Sequence, residues 1–363
     1  MAYTTIDDPS AYFQTAIYTG NGSSNAITFD GNSDMQPDFF WGKCRSTSSG
    51  NHLQNSTTGV KPFLVSNSDA AENTDSNNTD FLSYDSDGFT LGTSYQTDIN
   101  HDTRTYVAWN WKANGGTTTS NGASGDIKAS VTQREDTAKF SICTYTGTGI
   151  NAGQSHRVNH GLGTTPHVML FKNRGAGSTD WVVYHHRNTA APETDYLVLN
   201  STAATVDSAN KFNDTAPNTS YATIGGDDNI SSNTMVLYSF AEVQGFSKFG
   251  TYTGNGTGSS ADFDGTFVYT GFKPSFIICK ATSTDGDWKI FDNKRISYNG
   301  ANYRLSPNTS GAETTDSLID ILSNGFKLKT SSDSINGSGN SVIYIAFAES
   351  PFVSSKGVPT TAR

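Results

Sequence analysis

Three sequence markers recur in the same order along the chain, and this internal repetition constrains the fold more than any other feature. The markers are a Tyr-Thr-Gly segment, beginning at Tyr18, Tyr145 and Tyr252; a proline that opens an apolar run, at Pro37, Pro166 and Pro274; and a closing aromatic segment, Tyr106–Trp111, Leu237–Glu242 and Tyr344–Glu349. Self-similarity with a fixed order of markers indicates that one structural unit, here about 100 residues long, is built three times.

The markers divide the chain into three repeats with different connections between them. We predict an N-terminal arm at 1–13, a first repeat at 14–114, a linker at 115–138, a second repeat at 139–245, a third repeat at 246–352 and a C-terminal tail at 353–363. Residues 115–125 are rich in Gly, Thr, Ser and Asn, which is typical of flexible linkers. We therefore expect the second and third repeats to form a rigid pair and the first repeat to pivot.

The pattern within each repeat is that of β-strands. Residues 140–145 alternate like a half-buried strand, and the run after each proline is apolar and rich in β-branched or aromatic residues. Asp87-Gly88 and Asn324-Gly325 favour hairpin turns. The 35 Gly accompany 21 Phe and 16 Tyr, which is too many aromatics for a disordered chain. We predict an all-β protein made of three tandem antiparallel β-sandwich modules of the jelly-roll or lectin-like type.

Charge, hydropathy and cysteine content exclude several classes of protein. The net charge of −10 without a basic block argues against nucleic-acid binding. No apolar run is long enough to span a membrane, and the first residues lack the features of a signal peptide. Cys44, Cys143 and Cys279 are too few and too scattered for a disulfide framework, so we expect free thiols. The chain is predicted to be made in a reducing cytoplasm, without membrane insertion.

Several of these segments resemble a repeat-module family of tailed-phage virion structural and tail-fibre-like proteins, especially those of marine phages. The resemblance rests on Tyr106–Gly116, Phe140–Gly149, Val158–Gly163, Phe240–Gly250 and Phe347–Phe352. It covers most of residues 13–352 and is strongest in the second and third repeats. The first repeat lacks the Asp-Trp strand of the others and has Asn110-Trp111 where they have Ala-Glu. The resemblance implies a virion location and no established catalytic residues.

Histidines and acidic loops are the candidate metal ligands. Five of the seven histidines lie in the second repeat: His156, His160, His167, His185 and His186. The spacing of His156 and His160 would align two ligands only on a helix, and this stretch is predicted as strand and loop. Asp85–Gly88 and Asp262–Gly265 resemble calcium loops but do not continue to the terminal glutamate of an EF-hand. We predict turns and polar surface here, with no metal and no cofactor.

Paired carboxylates would be required for glycoside hydrolysis. Glu242 and Glu349 recur at one position of the closing segment, where the first repeat carries Trp111. A repeated residue more often has a structural role, so we interpret these glutamates as hydrogen-bonding groups. The sequence therefore predicts no catalytic residues and no enzyme activity.

Tryptophan side chains are the candidate ligand-binding residues. Flat aromatic rings stack on the C–H faces of sugars, while Asn, Asp and Ser side chains bind the hydroxyls. We select Trp111, Trp181 and Trp288; burial in a sandwich core is the alternative for them and for Trp41 and Trp109. Both interpretations stay open for Trp111, because we align it with the glutamates of the other repeats and it adjoins the linker.

Three functions fit these observations. The first, which we favour, is a bacteriophage virion structural protein that acts as a tail-fibre or receptor-binding component and contacts the host surface. The second is a capsid-decoration, cement or head-fibre protein that binds other virion proteins. The third is a glycan depolymerase, although the repeat is far too long for the rungs of a β-helix.

The expected partners follow from the first function. They are other virion proteins, through the arm at 1–13, and a host-surface glycan or receptor. By analogy with phage fibres we expect a homotrimer. A pseudo-threefold monomer that caps a threefold site is the alternative.

Overall fold

Antiparallel β-sheets make up almost all of the regular structure, which confirms the predicted all-β class. The computed structural model describes residues 2–94, 96–149, 156–258, 264–295, 299 and 303–360. Its helices are short: a 3₁₀ turn at Pro9–Ala11, the α-helical turn α1 at Ala209–Phe212 and a 3₁₀ turn at Gly226–Asn229. None of the helices in these ranges could cross a membrane.

The first repeat forms a large and a small sheet. Its strands are β1 (Phe13–Thr19), β2 (Asn25–Thr28), β3 (Phe39–Cys44), β4 (Asn51–Asn55), β5 (Gly59–Val65), β6 (Asn73–Thr74), β7 (Phe81–Asp85), β8 (Gly88–Leu91) and β9 (Thr105–Trp111). The large sheet has the order β1-β9-β3-β4-β5-β6, and the small sheet has the order β2-β8-β7.

The second repeat has the same two sheets with additional strands at their edges. Its strands, with those that precede it, are β10 (Thr119–Asn121), β11 (Ile127–Lys128), β12 (Ser130–Glu135), β13 (Phe140–Thr146), β14 (His156–Asn159), β15 (Val168–Asn173), β16 (Val182–His185), β17 (Asp195–Val198), β18 (Val206–Asp207), β19 (Tyr221–Ile224) and β20 (Thr234–Phe240). The large sheet runs β10-β12-β13-β20-β15-β16-β17-β18, and the small sheet runs β11-β14-β19.

The third repeat keeps this order in shorter form. Its strands are β21 (Ser247–Thr253), β22 (Phe267–Tyr269), β23 (Phe272–Ala281), β24 (Lys289–Asp292), β25 (Tyr303–Arg304), β26 (Thr314–Thr315), β27 (Ile319–Leu322), β28 (Gly325–Leu328) and β29 (Ser341–Pro351). The large sheet is β21-β29-β23-β24, the small sheet is β22-β28-β27, and β25 pairs with β26.

The pairing register of the closing strands corrects the sequence alignment of Trp111. In the first repeat Trp111 pairs with Phe39, two positions after the proline. Phe240 and Phe347 pair with the residues at the same position after their own prolines. Trp111 is therefore equivalent to Phe240 and Phe347, and the alignment that put it in place of Glu242 is wrong by two residues.

The inner faces of the three large sheets share one apolar cluster. At its centre Trp111, Phe240 and Phe347 form a triangle of ring contacts, with centroids 6.2 Å, 5.6 Å and 5.9 Å apart. The outer face of each large sheet packs against the small sheet of its own repeat and forms a separate cluster. Equivalent residues from all three repeats thus contact one another within the shared core.

This shared core overturns the prediction that the first repeat pivots. The segment at 115–138 is not a free linker, because β12 pairs along its whole length with β13 and β10 pairs with β12. Its polar residues suit an edge strand as well as a linker, so composition does not separate the two.

The N-terminal arm packs on its own chain. The Tyr3 hydroxyl donates to the Gly271 carbonyl at 2.6 Å, and Ile6 and Phe13 are buried in the shared core. Further along, the Ser355 amide donates to the Asp7 carboxylate at 2.6 Å. These contacts hold the arm against its own chain, and its docking onto a partner stays a prediction.

Candidate functional site

The three predicted ligand-binding tryptophans lie in the shared core. Trp111, Trp181 and Trp288 are 3%, 0% and 1% exposed. A void of about 20 Å³ beside Trp111 and Trp288 has an entirely apolar lining, and such a void stays dry. Because their rings are covered by protein, these residues offer no face to a sugar in solvent, and their selection as binding residues is wrong.

Trp181 and Trp288 instead connect neighbouring repeats. The Trp181 indole N–H donates to the Val65 carbonyl at 3.0 Å, and that of Trp288 donates to the Val198 carbonyl at 3.0 Å. In the first repeat Asn51 takes the place of these tryptophans. It lies opposite Lys43, the buried lysine near the end of β3, the strand that follows Pro37. Its amide donates to the Thr309 carbonyl at 2.9 Å. Each repeat is therefore joined to another one, and the three contacts close a ring.

The lysines that end the post-proline strands make the same three connections. Lys43, Lys172 and Lys280 have no exposed surface. Each ammonium donates to a carbonyl oxygen of another repeat, namely Ser310 at 2.8 Å, Asp69 at 3.0 Å and Thr202 at 3.2 Å respectively. Burial lowers the pKa of all three ammonium groups to about 8.

Ion pairs accompany two of these three connections. Arg174 binds Glu72 in a bidentate pair with distances of 2.6 Å and 2.8 Å. Arg45 binds Glu313 in the same way, and Arg295 also contacts Glu313 at 2.9 Å. At the third connection Thr205 and Thr282 stand in place of the glutamate and the arginine, so no ion pair forms between these positions. The backbone hydrogen bond is kept, and the Thr205 amide donates to the Thr282 carbonyl at 2.9 Å.

A second set of buried polar groups also connects the repeats. The Asn55 amide donates to the Tyr238 hydroxyl at 3.0 Å, and the Trp109 indole donates to Asp292 at 3.0 Å. His185, at the equivalent position of the second repeat, contacts the Tyr344 carbonyl at 3.2 Å. Burial of the ring lowers the His185 pKa to about 3, so the ring is neutral at pH 7.

The other histidines of the second repeat also have structural partners. His167 accepts the Glu242 amide at 3.0 Å, as Asp38 accepts the amide of Ala113 at the equivalent position. His186 contacts the Phe249 carbonyl at 2.6 Å, which ties the second repeat to the first strand of the third. The Glu242 carboxylate accepts the Phe249 amide at 2.8 Å and pairs with Lys248 at 3.0 Å.

Metal-binding groups are not gathered anywhere in the described part of the chain. Among those residues no three His, Cys, Asp or Glu side chains come together. His160 is buried and accepts the Leu162 amide at 3.1 Å, and desolvation lowers its pKa to about 4. His156 is partly exposed, on β14.

The two acidic loops serve as turns where they are described. The Asp85 carboxylate accepts the hydroxyls of Ser83 and Thr90 at 2.6 Å, and Asp87 accepts the Met35 amide. In the other loop Asp264 pairs with Lys327 at 2.9 Å, whereas Asp262 and Phe263 lie outside the described residues. The three cysteines are buried and form no disulfide.

An open polar groove of about 520 Å³ lies on the second repeat. Its lining includes Asn121, Thr132, Asn159 and Thr219, with the Arg134–Asp136 segment beside them. The Asn121 amide donates to Thr132 at 3.1 Å, and Arg134 pairs with Asp136 at 3.1 Å. Amides, hydroxyls and one ion pair line this groove, which suits a hydroxyl-rich ligand. It is the candidate binding site.

The groove is special to the second repeat because β10 and β12 form part of it. Asn159 lies on β14, which pairs with β11 and β19 in the small sheet, and the equivalent outward positions carry other chemistry in the other repeats. They are Ala26 and Thr28 on β2, Arg157 and Asn159 on β14, and Phe267 and Tyr269 on β22. One surface position is therefore small, polar or aromatic according to the repeat.

A fourth repeated marker was missed at the sequence level. Asn100, Asn229 and Asn336 are fully buried, and each accepts the amide of the residue that follows a Tyr-Thr-Gly marker. The residue before each asparagine accepts the hydroxyl of the marker tyrosine at 2.6–2.9 Å. The similar separation of these asparagines from the marker tyrosines, 82, 84 and 84 residues, was the available signal, and their varied neighbours obscured it.

The sheets and this site define an all-β protein with an internally repeated architecture. A model of one family, described as a domain of unknown function (DUF7483), matches residues 8–351. The chain belongs to this family. No curated protein and no solved structure matches it.

Proposed function

We propose that each repeat is a β-sandwich and that the three sandwiches form a closed ring around a pseudo-threefold axis. The support is the equivalence of the contacts. Each repeat presents a lysine and a Trp or Asn side chain to carbonyl oxygens at the same place in another repeat. The aromatic triangle of Trp111, Phe240 and Phe347 lies where the three repeats meet.

We propose that the protein is a bacteriophage virion structural protein that contacts the host surface as a tail-fibre or receptor-binding component. The observation that carries this proposal is the ring, because a rigid frame with a polar groove on its outside suits a binding part of a particle. The resemblance of Phe240–Gly250 and Phe347–Phe352 to phage repeat modules supports the virion location. On this proposal the partners are other virion proteins and a host glycan or receptor.

The proposed role is non-catalytic. A glycosidase needs two carboxylates free to act on one glycosidic bond. Glu242 is held by Lys248 and the Phe249 amide, and Glu349 pairs with Lys273 at 2.7 Å. The repeated carboxylates therefore have the structural partners that the non-catalytic interpretation requires.

Capsid decoration is the second candidate, and the closed ring favours it in one respect. A fibre is expected to reach threefold symmetry by trimerisation, but here three equivalent faces already surround one axis within a single chain. A monomer of this kind matches a threefold site on a capsid. The two roles thus predict different oligomeric states: a fibre component should be a trimer, and a capsid-decoration protein should be a monomer.

Mass spectrometry and electron cryomicroscopy of purified particles test the proposal. We expect the chain in the virion in several copies, with density on the tail for the first candidate or on capsid threefold sites for the second. Native mass measurement of the recombinant chain separates trimer from monomer. Absence from purified particles, or release of reducing sugar from host polysaccharide, would overturn the proposed function.

A further inference from the structure

Two exposed aromatic side chains stand side by side on the small sheet of the third repeat. Phe267 and Tyr269 are 47% and 55% exposed, whereas Val268 between them is buried. They therefore project from the same face of β22, with Cα atoms about 6.6 Å apart. Among the exposed large apolar side chains of the described residues, these two are the aromatic ones. We call this pair the aromatic ledge.

The strand beneath the ledge is held in place. Val268 packs in the apolar cluster of the third repeat with Phe326 and Ile321. Phe267 lies opposite Lys327 and Tyr269 lies opposite Gly325 in the pairing of β22 with β28. Because glycine has no side chain, the position across from Tyr269 leaves its ring uncovered from that side.

Polar groups lie at both ends of the ledge. At one end Lys327 pairs with Asp264 at 2.9 Å. At the other end a Cβ placed on Gly271, which has φ +83°, would be 2.7 Å from the Tyr3 hydroxyl and 3.6 Å from the Tyr269 hydroxyl. The two hydroxyls thus converge above a glycine. Aromatic faces with hydrogen-bonding groups at their ends match a sugar, which has apolar C–H faces and hydroxyls at its rim.

The size of the ledge favours a small ligand over a protein. Two half-exposed aromatic side chains offer about 200 Å², against about 800 Å² that each partner buries in a stable protein interface. Charge argues for a neutral ligand, since Lys327 is paired with Asp264 and the chain carries a net charge of −10.

We propose that the aromatic ledge of Phe267 and Tyr269 is a binding site for neutral hexopyranose units of a polysaccharide. This inference deepens the proposed contact with the host surface and rests on it. It adds to the groove of the second repeat a contact on the third repeat, at the positions where β2 carries Ala26 and Thr28.

Affinity electrophoresis of the full chain tests the site. Native gels are cast with dextran, laminarin or a neutral galactan, and with alginate as the anionic comparison. We expect at least one neutral polysaccharide to retard the protein. Phe267→Ala and Tyr269→Ala are each expected to weaken binding about three- to tenfold, while Phe267→Trp keeps it. Ile17→Ala, at an exposed aliphatic residue of the first repeat, serves as the matched control and should leave binding unchanged.

The outcomes separate this inference from the function on which it rests. No retardation by any neutral polysaccharide, retardation by alginate alone, or retardation that both alanine variants retain would overturn the ledge as a sugar site. Detection of the chain in purified particles does not depend on these gels, so the ledge can fail while the virion assignment stands. Thermal midpoints of the variants check that the exposed substitutions leave the fold intact.

Discussion

The rings of Phe240 and Phe347 lie 5.9 Å apart at an interplanar angle of 63°, although the two residues belong to different repeats. Trp111 completes the contact from the first repeat, at 6.2 Å and 5.6 Å from them. Edge-to-face contacts of this kind are favourable beyond the area that they bury. The triangle is therefore a packing contact that stabilises all three repeats against one another.

Substitution of Trp111 tests its place in this packing contact. We expect Trp111→Phe to lower the free energy of unfolding by about 1 kcal/mol, because phenylalanine fills the equivalent positions of the other repeats. Trp111→Ala leaves a cavity and should cost about 4 kcal/mol. Urea denaturation measures both, with Tyr269→Ala as an exposed control within about 0.5 kcal/mol of wild type. Equal costs for the two Trp111 variants would contradict the core assignment.

The two ion-paired connections should differ in strength. Arg295 is fully buried and depends on Asp292 and Glu313, so Glu313→Gln is expected to cost about 3 kcal/mol. Arg174 and Glu72 are 14% and 15% exposed, and Glu72→Gln should cost about 1 kcal/mol. The cost of Glu72→Gln should also fall in 0.5 M NaCl, because salt screens the more exposed pair.

Denaturation curves in low and high salt provide this measurement. Asp264→Asn, in the exposed pair with Lys327, is the control and should leave stability unchanged. A larger cost for Glu72→Gln than for Glu313→Gln would show that burial of Arg295 does not control the energetics.

Stability should fall in mild acid because buried histidines are neutral in the fold. Burial lowers the pKa of His52 and His160 to about 4 and that of His185 to about 3. The unfolded chain takes up these protons below about pH 6.5, so the stabilisation is present above that pH and is lost as the pH falls. His185 alone should account for about 2 kcal/mol between pH 6.5 and pH 5.

His185→Asn isolates this effect, since Asn55 fills the same position in the first repeat. The slope of unfolding free energy against pH should be shallower in this variant than in wild type between pH 5 and 6.5. Ile17→Ala, which removes no titratable group, is the control and should keep the wild-type slope. Identical slopes for all three proteins would exclude His185 as a source of the acid sensitivity.

Cleavage between the first and second repeats should not separate them. A protease site inserted between Thr117 and Thr118 lies on an exposed stretch, so it is open to cutting. The fragments should still elute together in gel filtration, because Trp41 and Trp109 of the first repeat are part of the shared core. They should separate only in denaturant. Dissociation in native buffer would restore the picture of a pivoting first repeat.

The strands could be predicted wherever the residues of the strand itself show a pattern typical of β-structure. The apolar runs after Pro37, Pro166 and Pro274 became β3, β15 and β23, because a strand covered on both faces needs such a run. The register of Trp111 was not predictable from its neighbours, since its partner is Phe39, far away in sequence. Likewise β10 pairs with β12 through backbone groups, and such pairing cannot be recognised from the residue types of a polar segment.

The site was harder to predict than the fold. Residue type alone does not say whether a tryptophan is buried, and Trp181 and Trp288 became core residues through contacts with the carbonyls of other repeats. Lys43, Lys172 and Lys280 each follow an apolar run in the sequence, but their acceptors are main-chain oxygens, which residue types do not reveal. The exposed pair Phe267 and Tyr269 sits in a short alternating stretch that also fits an ordinary strand.

The different outer residues of β2, β14 and β22 have an evolutionary consequence. In an assembly of three identical chains, any mutation at one of these positions appears three times. A mutation that improves binding to one neighbouring molecule is therefore repeated at two places where it does not help. In the proposed arrangement the three copies are encoded separately, and each can diverge alone. Thr28, Asn159 and Tyr269 already differ at one equivalent position. Such a molecule can keep the rigidity of a trimer while it meets three unlike surfaces.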